Sequence, residues 1–460
     1  MQAHHFFTAS LRREPRGATI TQIIATALAA VDPAAAVARY LRREGNTLLV
    51  GERRFDLATL DRVIIVGAGK AGAPMAYAAA QVLDDKLSAG LVVVKDGHLA
   101  ELPQPTPPSF GRLHLVEAGH PVPDERGVAA AQAMVDLLAD LTERDLVLAV
   151  ISGGGSALLT LPVPGVSLTD LQQLTSALLA CGATIGEINT LRKQLDQLKG
   201  GGLAHIAAPA TLITLILSDV VGNPLDIIAS GPTVPNPTTA VDALSILDRY
   251  DLVEQTPPAI LAYLQDSNTG TRSPEQASGD QSFARVSNLL VGDNRQAAVA
   301  ALEKARQAGF APLLLTTSLE GEAREAGRML AAILREIALS GNPLPRPACL
   351  IAGGETTVTL RGNGRGGRNQ ELALAAVKAL DGLPDVALIA LATDGGDGPT
   401  DAAGAVVTGA TAERARALGL DPDAFLANND AYHFFQALDD LLLTGPTSTN
   451  VNDLTLLFAW

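Results

Sequence analysis

The chain has 460 residues, with 34 Lys and Arg against 49 Asp and Glu for a formal net charge of −15, and 47% of it is apolar. One core rarely serves more than about 250–300 residues, so two domains are expected, and the apolar share excludes a largely disordered chain. The acidic balance and the 3% aromatic content argue against a general nucleic-acid or anionic-membrane binder. Any anionic ligand must be held by a few focused cations.

Two cysteines, Cys181 and Cys349, lie far apart in segments that read as core. They fit neither a disulfide framework nor a zinc site and point to a reducing compartment. The N-terminus shows no charged start followed by an apolar run and a cleavage site, so no signal peptide is expected. The longest apolar stretch, 203–217, contains His205 and Pro209 and is too short to span a bilayer. A soluble, cytoplasmic protein is the expectation.

In chain order, RVIIVG (62–67), GLVVVK (90–95), RLHLVE, DLVLAVI (145–151) and TLITLIL (211–217) read as buried strands. Continuous Val/Ile/Leu runs are what a parallel sheet covered by helices on both faces requires. Between them, Ser167-Leu-Thr-Asp170 opens a capped helix ending at Gly182, and a helix from Asn189 to Lys199 ends at Gly200-Gly201-Gly202. The polar stretch 265–283 reads as a seam or long surface loop. A second series follows: NLLV (288–291), a helix over 294–307, APLLLTT (311–317), CLIAGG (349–354), TTVTL (356–360), VALIALATD (386–394) and AGAVVTG (403–409). The short spacing of CLIAGG and TTVTL predicts a hairpin, hence a mixed sheet. The predicted fold is α/β with two domains. Residues 1–284 form a larger Rossmann-like, doubly wound parallel-sheet N-terminal domain. Residues 285–460 form a smaller α/β C-terminal domain with a mixed sheet, whose last segment returns to an interdomain cleft.

Glycine-rich loops carry the chemistry. Gly67-Ala-Gly69-Lys-Ala-Gly72 follows the first strand with the G-x-G-x-x-G spacing of a dinucleotide turn, and Asp96 lies near the end of the next strand. The same glycines suit any tight strand-to-helix turn. Lys70 is the addition, an ammonium where phosphate oxygens would rest. Ser152-Gly153-Gly154-Gly155-Ser156 leaves a strand end bare of side chains, so its N–H groups can turn toward an anion. Asp219 ends TLITLIL, where open α/β sheets face their ligands; it could accept a hydroxyl proton, hold a metal or cap a turn. Gly362-Asn-Gly-Arg365-Gly366-Gly367-Arg368-Asn369-Gln-Glu371 is a loop with two arginines that feeds a helix, suited to an anion. Asp394 and Asp397, in Thr393-Asp-Gly-Gly-Asp-Gly, supply hard oxygens in a turn that suits Mg²⁺ or serves as a plain Asp-Gly turn. The histidines share no metal-ligand spacing and read as structural. No Walker A loop or protein-kinase signature occurs. Several anion-suited loops with few cations fit phosphoryl transfer, which needs positioning and charge neutralisation above all.

GAGKAGAPMA, EAGHPVPDERG, ISGGGSALL, EINTLRKQLDQLKGGGLA, SDVVGNPLDIIASGPTVPNPTT, GGETTVTLRGNGRGGRNQE, TDGGDGPTDAAGAVV and GPTSTNVNDL occur in this order. From about residue 20 onward the chain closely resembles the glycerate 2-kinases of the MOFRL family, also known as hydroxypyruvate reductases. The resemblance implies ATP-dependent phosphorylation of D-glycerate at its 2-hydroxyl, with Mg²⁺ or another divalent metal, in a cleft between the domains. D-glycerate and ATP are then the partners, without nucleic acid or membrane; monomer or homodimer stays open. Lys70, Asp219 and Arg368 map to the family's polar positions around the reacting groups, and Arg192 is a second candidate for the substrate carboxylate. Gly67, Gly69, Ser152, Gly153, Gly154, Gly155, Ser156, Gly366, Gly367 and Asn369 complete the expected binding set, and Asp394 and Asp397 the expected metal ligands. Two departures stand out: Gly222-Asn223-Pro224 lacks a carboxylate common there, and Ser448 replaces a glycine. The rivals are an NAD(P)-dependent hydroxypyruvate reductase built on Gly67, Gly69, Gly72 and Asp96, and a non-catalytic nucleotide or sugar-acid binder.

Overall fold

Strand-forming runs dictate the frame. The computed structural model describes residues 1–99, 108–268 and 281–460, and they divide into two compact units, Pro33–Val291 and Met1–Asp32 with Gly292–Trp460. Most of the polar stretch read as a seam therefore lies outside the described residues.

In the Pro33–Val291 unit a three-stranded antiparallel meander comes first: β1 (Leu41–Glu44), β2 (Thr47–Val50) and β3 (Arg53–Asp56). A six-stranded sheet follows from β4 (Arg62–Ala68), β5 (Ala89–Lys95), β6 (Leu113–Ala118), β7 (Asp145–Ser152), β8 (Thr211–Leu217) and β9 (Val286–Gly292). Its spatial order is β6-β5-β4-β7-β8-β9, and β4 pairs in parallel with both β5 and β7. This is the doubly wound order of a Rossmann-like domain, and the chain direction around the sheet reverses between β4 and β7. Every residue of β7 and β8 is buried, as their unbroken apolar runs require. Ile64, Val66, Val147 and Leu212 pack with Leu158 and Leu203 in one core, and Leu174, Leu178, Leu191 and Leu247 form another.

Capping settles two helices. Ser167 and Asp170 form the expected box at the start of Leu168–Ala180. The helix expected from Asn189 begins earlier, at Ile185, because Thr184 and Glu187 form a second box, and it ends at Gln194. Beyond it, Asp196 accepts the amides of Leu198 and Lys199 and turns the chain before Gly200.

The other unit carries β10 (Ala311–Leu319), β11 (Ala348–Gly354), β12 (Val386–Ala392), β13 (Gly404–Thr408), β14 (Leu441–Leu442) and β15 (Asp453–Ala459), in the order β10-β11-β15-β12-β13-β14. β10 and β11 are parallel; β15 is antiparallel to both β11 and β12, so the sheet is mixed as expected. The expected hairpin is not its source. Both neighbours of β11 are taken, and residues 356–360 form no strand, keeping only an isolated bridge from Thr357 to Glu322. The final segment, expected at a cleft, runs through the middle of this sheet.

The first 32 residues group with this unit rather than with the sheet that follows them, and the division falls after Val291 rather than after residue 284. Ile20, Ile23, Ile24 and Leu28 on the helix Gly17–Ala30 are buried. Ser10 donates its amide (2.8 Å) and hydroxyl (2.8 Å) to Asp440, and Thr449 Oγ1 donates to Val31 O at 2.6 Å. Among the described residues no single helix is long and apolar enough to cross a membrane.

Candidate functional site

The turn after β4 lies against the loop after β7, at the switch point of the parallel sheet. A Cβ on Gly69 would stand 2.6 Å from the carbonyl oxygen of Ser152, so only glycine permits this approach. The approach is pinned by Lys70 N donating to Gly153 O (2.8 Å) and Ala71 N donating to Ser152 Oγ (3.0 Å). Gly69 and Gly72 amides are also bonded, to Val93 O and Gly69 O. The amides of the G-x-G-x-x-G turn are thus consumed by the fold.

The second loop differs. Among the described residues the amides of Gly153, Gly154 and Gly155 donate to no protein acceptor, which leaves consecutive donors for an anion. Gly154 holds φ +83°, a left-handed conformation that reverses the chain there. Side chains crowd these two glycines. A Cβ on Gly153 would meet the Asp219 carboxylate, and one on Gly154 would come 3.1 Å from His120 Cδ2 and 3.4 Å from Lys70 Cγ. Lys70, Asp219, His120 and Ser152 therefore converge on Gly153-Gly154. Burial, with Lys70, Lys95 and His98 nearby, holds the His120 pKa down to about 4, so its imidazole is neutral at physiological pH. His120 was set aside with the other histidines in the sequence; its place in EAGHPVP was the available signal.

Ser156, at the far end of this loop, shares a hydrogen bond with Ser230 Oγ (3.0 Å), which also donates to Asn189 Oδ1 (3.1 Å). Arg192 lines a separate cavity with Ser156, Thr160 and Lys199. Asp96, the acid of the dinucleotide reading, is held by both terminal nitrogens of Arg126 at 2.7 Å each.

In the Gly292–Trp460 unit, Arg368 begins the helix Arg368–Leu380. Its guanidinium grips both oxygens of Asp453 (2.6 and 3.0 Å) and Glu355 Oε1 (2.6 Å). Burial works against the charged guanidinium, but Asp453 and Glu355 outweigh it and raise its pKa. Burial pushes the Asp453 carboxyl up to about 7 while Arg368 pulls it down. Asn369 and Gln370 give their amides to the buried Asp397 (3.1 and 2.9 Å), which caps the helix, and Glu371 is buried against Arg324 (2.6 Å). The run Arg-Asn-Gln-Glu is thus a structural network as well as a candidate site, and Asp453 and Glu355 were not expected in it.

The preceding loop is equally committed. Asn429 Oδ1 accepts the amides of Arg361 and Gly362, and Asp430 Oδ1 accepts that of Arg365. A Cβ on Gly367 would overlap Asp397, so packing alone requires that glycine. Asp394 accepts the Gly396 amide at 3.1 Å. Both oxygens of Asp397 are occupied by helix amides, and among the described residues no group of three His, Cys, Asp or Glu side chains is placed to hold a metal ion. The expected Asp394–Asp397 pair does not fit a resident metal site.

Residues 19–265 match a family described as a domain of unknown function, DUF4147, and residues 348–453 match the MOFRL family. The D-glycerate 2-kinase of Thermotoga maritima is 47% identical, covering 86% of this chain and 90% of that protein. A putative hydroxypyruvate reductase of Agrobacterium vitis is 45% identical over 85% of this chain and 86% of its own. The crystal structure of a glycerate kinase from Thermotoga maritima superposes with a TM-score of 0.83 at 43% identity, covering 95% of this chain and 98% of the other. The doubly wound sheet, the loops at its switch point and these relatives agree: the chain belongs to the DUF4147–MOFRL family of glycerate kinases.

Proposed function

We propose that the protein transfers a phosphoryl group from ATP to the 2-hydroxyl of D-glycerate, giving 2-phosphoglycerate and ADP. The observation that carries this reading is the convergence of Lys70 and Asp219 on a loop whose consecutive amides are open. Phosphoryl transfer asks a protein for positioned positive charge and donors around phosphate oxygens, plus a group to orient the attacking hydroxyl. The amides of Gly153 to Gly155 and the Lys70 ammonium supply the first. Asp219 supplies the second, orienting the 2-hydroxyl and accepting its proton. His120, neutral, adds bulk and a hydrogen-bonding edge without a competing charge. Arg368, held at a fixed angle by Asp453 and Glu355, is the further cation for phosphate or carboxylate. Gly67 and Gly69 act by letting the turn approach the loop rather than by touching ligand, and Gly366, Gly367 and Asn369 act by seating Arg368.

A divalent cation is taken as part of the nucleotide substrate, MgATP, because the donor sets among the described residues do not fit a resident ion. The reductase reading has less support: Asp96 is engaged by Arg126, and the turn's amides are spent on the fold. The test is ADP release dependent on D-glycerate, with 2-phosphoglycerate identified as product. Asp219→Asn should abolish it while leaving the chain folded.

A further inference from the structure

The helix Asn294–Gln307 starts just beyond β9, and Asp293 caps it by accepting the Gln296 amide at 2.8 Å. Its first residue, Asn294, is buried. The side-chain nitrogen Nδ2 donates to Val451 O and to Asp453 O, both at 2.9 Å. Only a donor can satisfy two carbonyl oxygens, which fixes the orientation of this amide. Its Oδ1 lies against β11, where a Cβ on Gly353 would stand 1.8 Å from it, and among the described residues it accepts no hydrogen bond. A buried acceptor left unmet costs stability, so packing alone would favour an apolar residue here. What asparagine supplies is the pair of donors.

Those donors hold the segment that carries Asp453. Residues 451–453 pass through a left-handed Asn452 (φ +64°) into β15. Thr393 secures the same three residues: its Oγ1 accepts the Val451 amide at 2.8 Å and donates to Asn452 O at 2.7 Å. The Asp453 carboxylate then takes Arg368 Nε and Nη2 at 2.6 and 3.0 Å. Glu355, half-exposed, holds only Nη1. The guanidinium is therefore placed no better than the Asp453 backbone that carries its main partner.

We propose that Asn294 is a positioning residue for Arg368. By holding the carbonyls of Val451 and Asp453 it sets the Asp453 carboxylate, and through that carboxylate the angle of the guanidinium. Asn294 needs no contact with substrate to do this. The part that Arg368 plays in phosphoryl transfer rests on the kinase reading, whereas the seating of its guanidinium does not.

The experiment follows the Arg368 Nε–H signal by NMR in the full chain isotopically labelled at arginine nitrogen, beside kinetics with D-glycerate and ATP. Loss of the signal in Arg368→Lys assigns it. A charge-assisted bond protects this proton, so its exchange with water should speed at least about tenfold in Asn294→Ala. Turnover should fall about tenfold as the cation shifts, with little change in thermal melting, because the unmet oxygen leaves together with the donors. Asn294→Asp keeps the shape but loses the donor, and should be at least as damaging; a space-filling residue would tolerate it. In the Arg368→Lys background Asn294→Ala should cost less than about a further twofold, since its effect passes through the guanidinium. A merely structural role would multiply the two losses instead. Thr393→Val frees the same three residues without changing shape; it should speed the same exchange, and it decides the matter if the Asn294 variants fail to fold. Exchange within about twofold of wild type in Asn294→Ala, multiplied losses in the double variant, or near-normal turnover in Arg368→Lys would each overturn the proposal. A wild type that forms no 2-phosphoglycerate, while Asn294→Ala still frees the Nε–H, would sink the kinase reading and leave this seating of Arg368 standing.

Discussion

Gly153→Ala separates the site from the fold more cleanly than any other single change. The Gly153 φ lies outside the left-handed region, so alanine meets little backbone strain there. Its Cβ, however, would stand 1.9 Å from Asp219 Oδ2 and 2.4 Å from Asp219 Cγ. Real Cβ contacts under 3.0 Å essentially never occur, so the carboxylate must withdraw by at least about 1 Å. A displacement of about 1 Å in a reacting group can cost about 100-fold in rate, or about 2.7 kcal/mol of barrier. Stability should hardly move, because replacing glycine at a compatible φ gains about 0.4–1 kcal/mol from the unfolded chain and offsets the local adjustment. Gly154→Ala makes a useful contrast: at φ +83° it should destabilise the fold by about 1 kcal/mol as well. The assay is kcat with D-glycerate and ATP beside a thermal melt. A folded Gly153→Ala enzyme with kcat within threefold of wild type would refute the placement of Asp219 at the reacting hydroxyl.

Arg368→Lys keeps the charge but cannot hold both Asp453 oxygens and Glu355 at once, so turnover should fall by about tenfold or more; near-normal turnover removes Arg368 from the site. His120 has a folded pKa of about 4 against an ordinary 6.5, so between those values the folded chain stays neutral while the unfolded chain takes up a proton. Stability from this residue is therefore complete above pH 6.5 and falls on acidification through that window. An imidazole NMR titration should show a midpoint near 4, and a midpoint at or above about 6 contradicts the packing of His120 against the loop. Cys349 is buried, and burial raises its thiol pKa, whereas Cys181 is partly exposed. A thiol reagent should label Cys181 in the native chain and reach Cys349 after unfolding; fast native labelling of both would contradict the β11 core.

What the sequence made legible is local. Unbroken apolar runs gave β4, β5, β7, β8 and β12 close to their ends, since a strand buried on both faces needs no partner to declare itself. Lys70, Ser152 to Ser156 and Asp219 could be read together because all stand at carboxyl ends of adjacent parallel strands. What failed was long-range. Asp453 lies far along the chain from Arg368, and no spacing rule joins them. Residues 356–360 look like a strand, but β10 and β15 already fill both edges of β11. The loop 361–365 looks like an anion site until Asn429 and Asp430 are seen to hold its amides. Asp397 has the chemistry of a metal ligand and the position of a helix cap, and only its partners distinguish the two. Likewise the helix Gly17–Ala30 shows an apolar face without showing which core receives it.

The most direct test of the central claim is a coupled assay with D-glycerate, ATP and Mg²⁺ in which enolase follows immediately and no phosphoglycerate mutase is present. Enolase consumes 2-phosphoglycerate alone, so the account predicts full signal without mutase, lost in Asp219→Asn. Signal that appears only when mutase is added would move the transfer to the 3-hydroxyl, and NADH oxidation by hydroxypyruvate with no ADP formed would contradict phosphoryl transfer altogether.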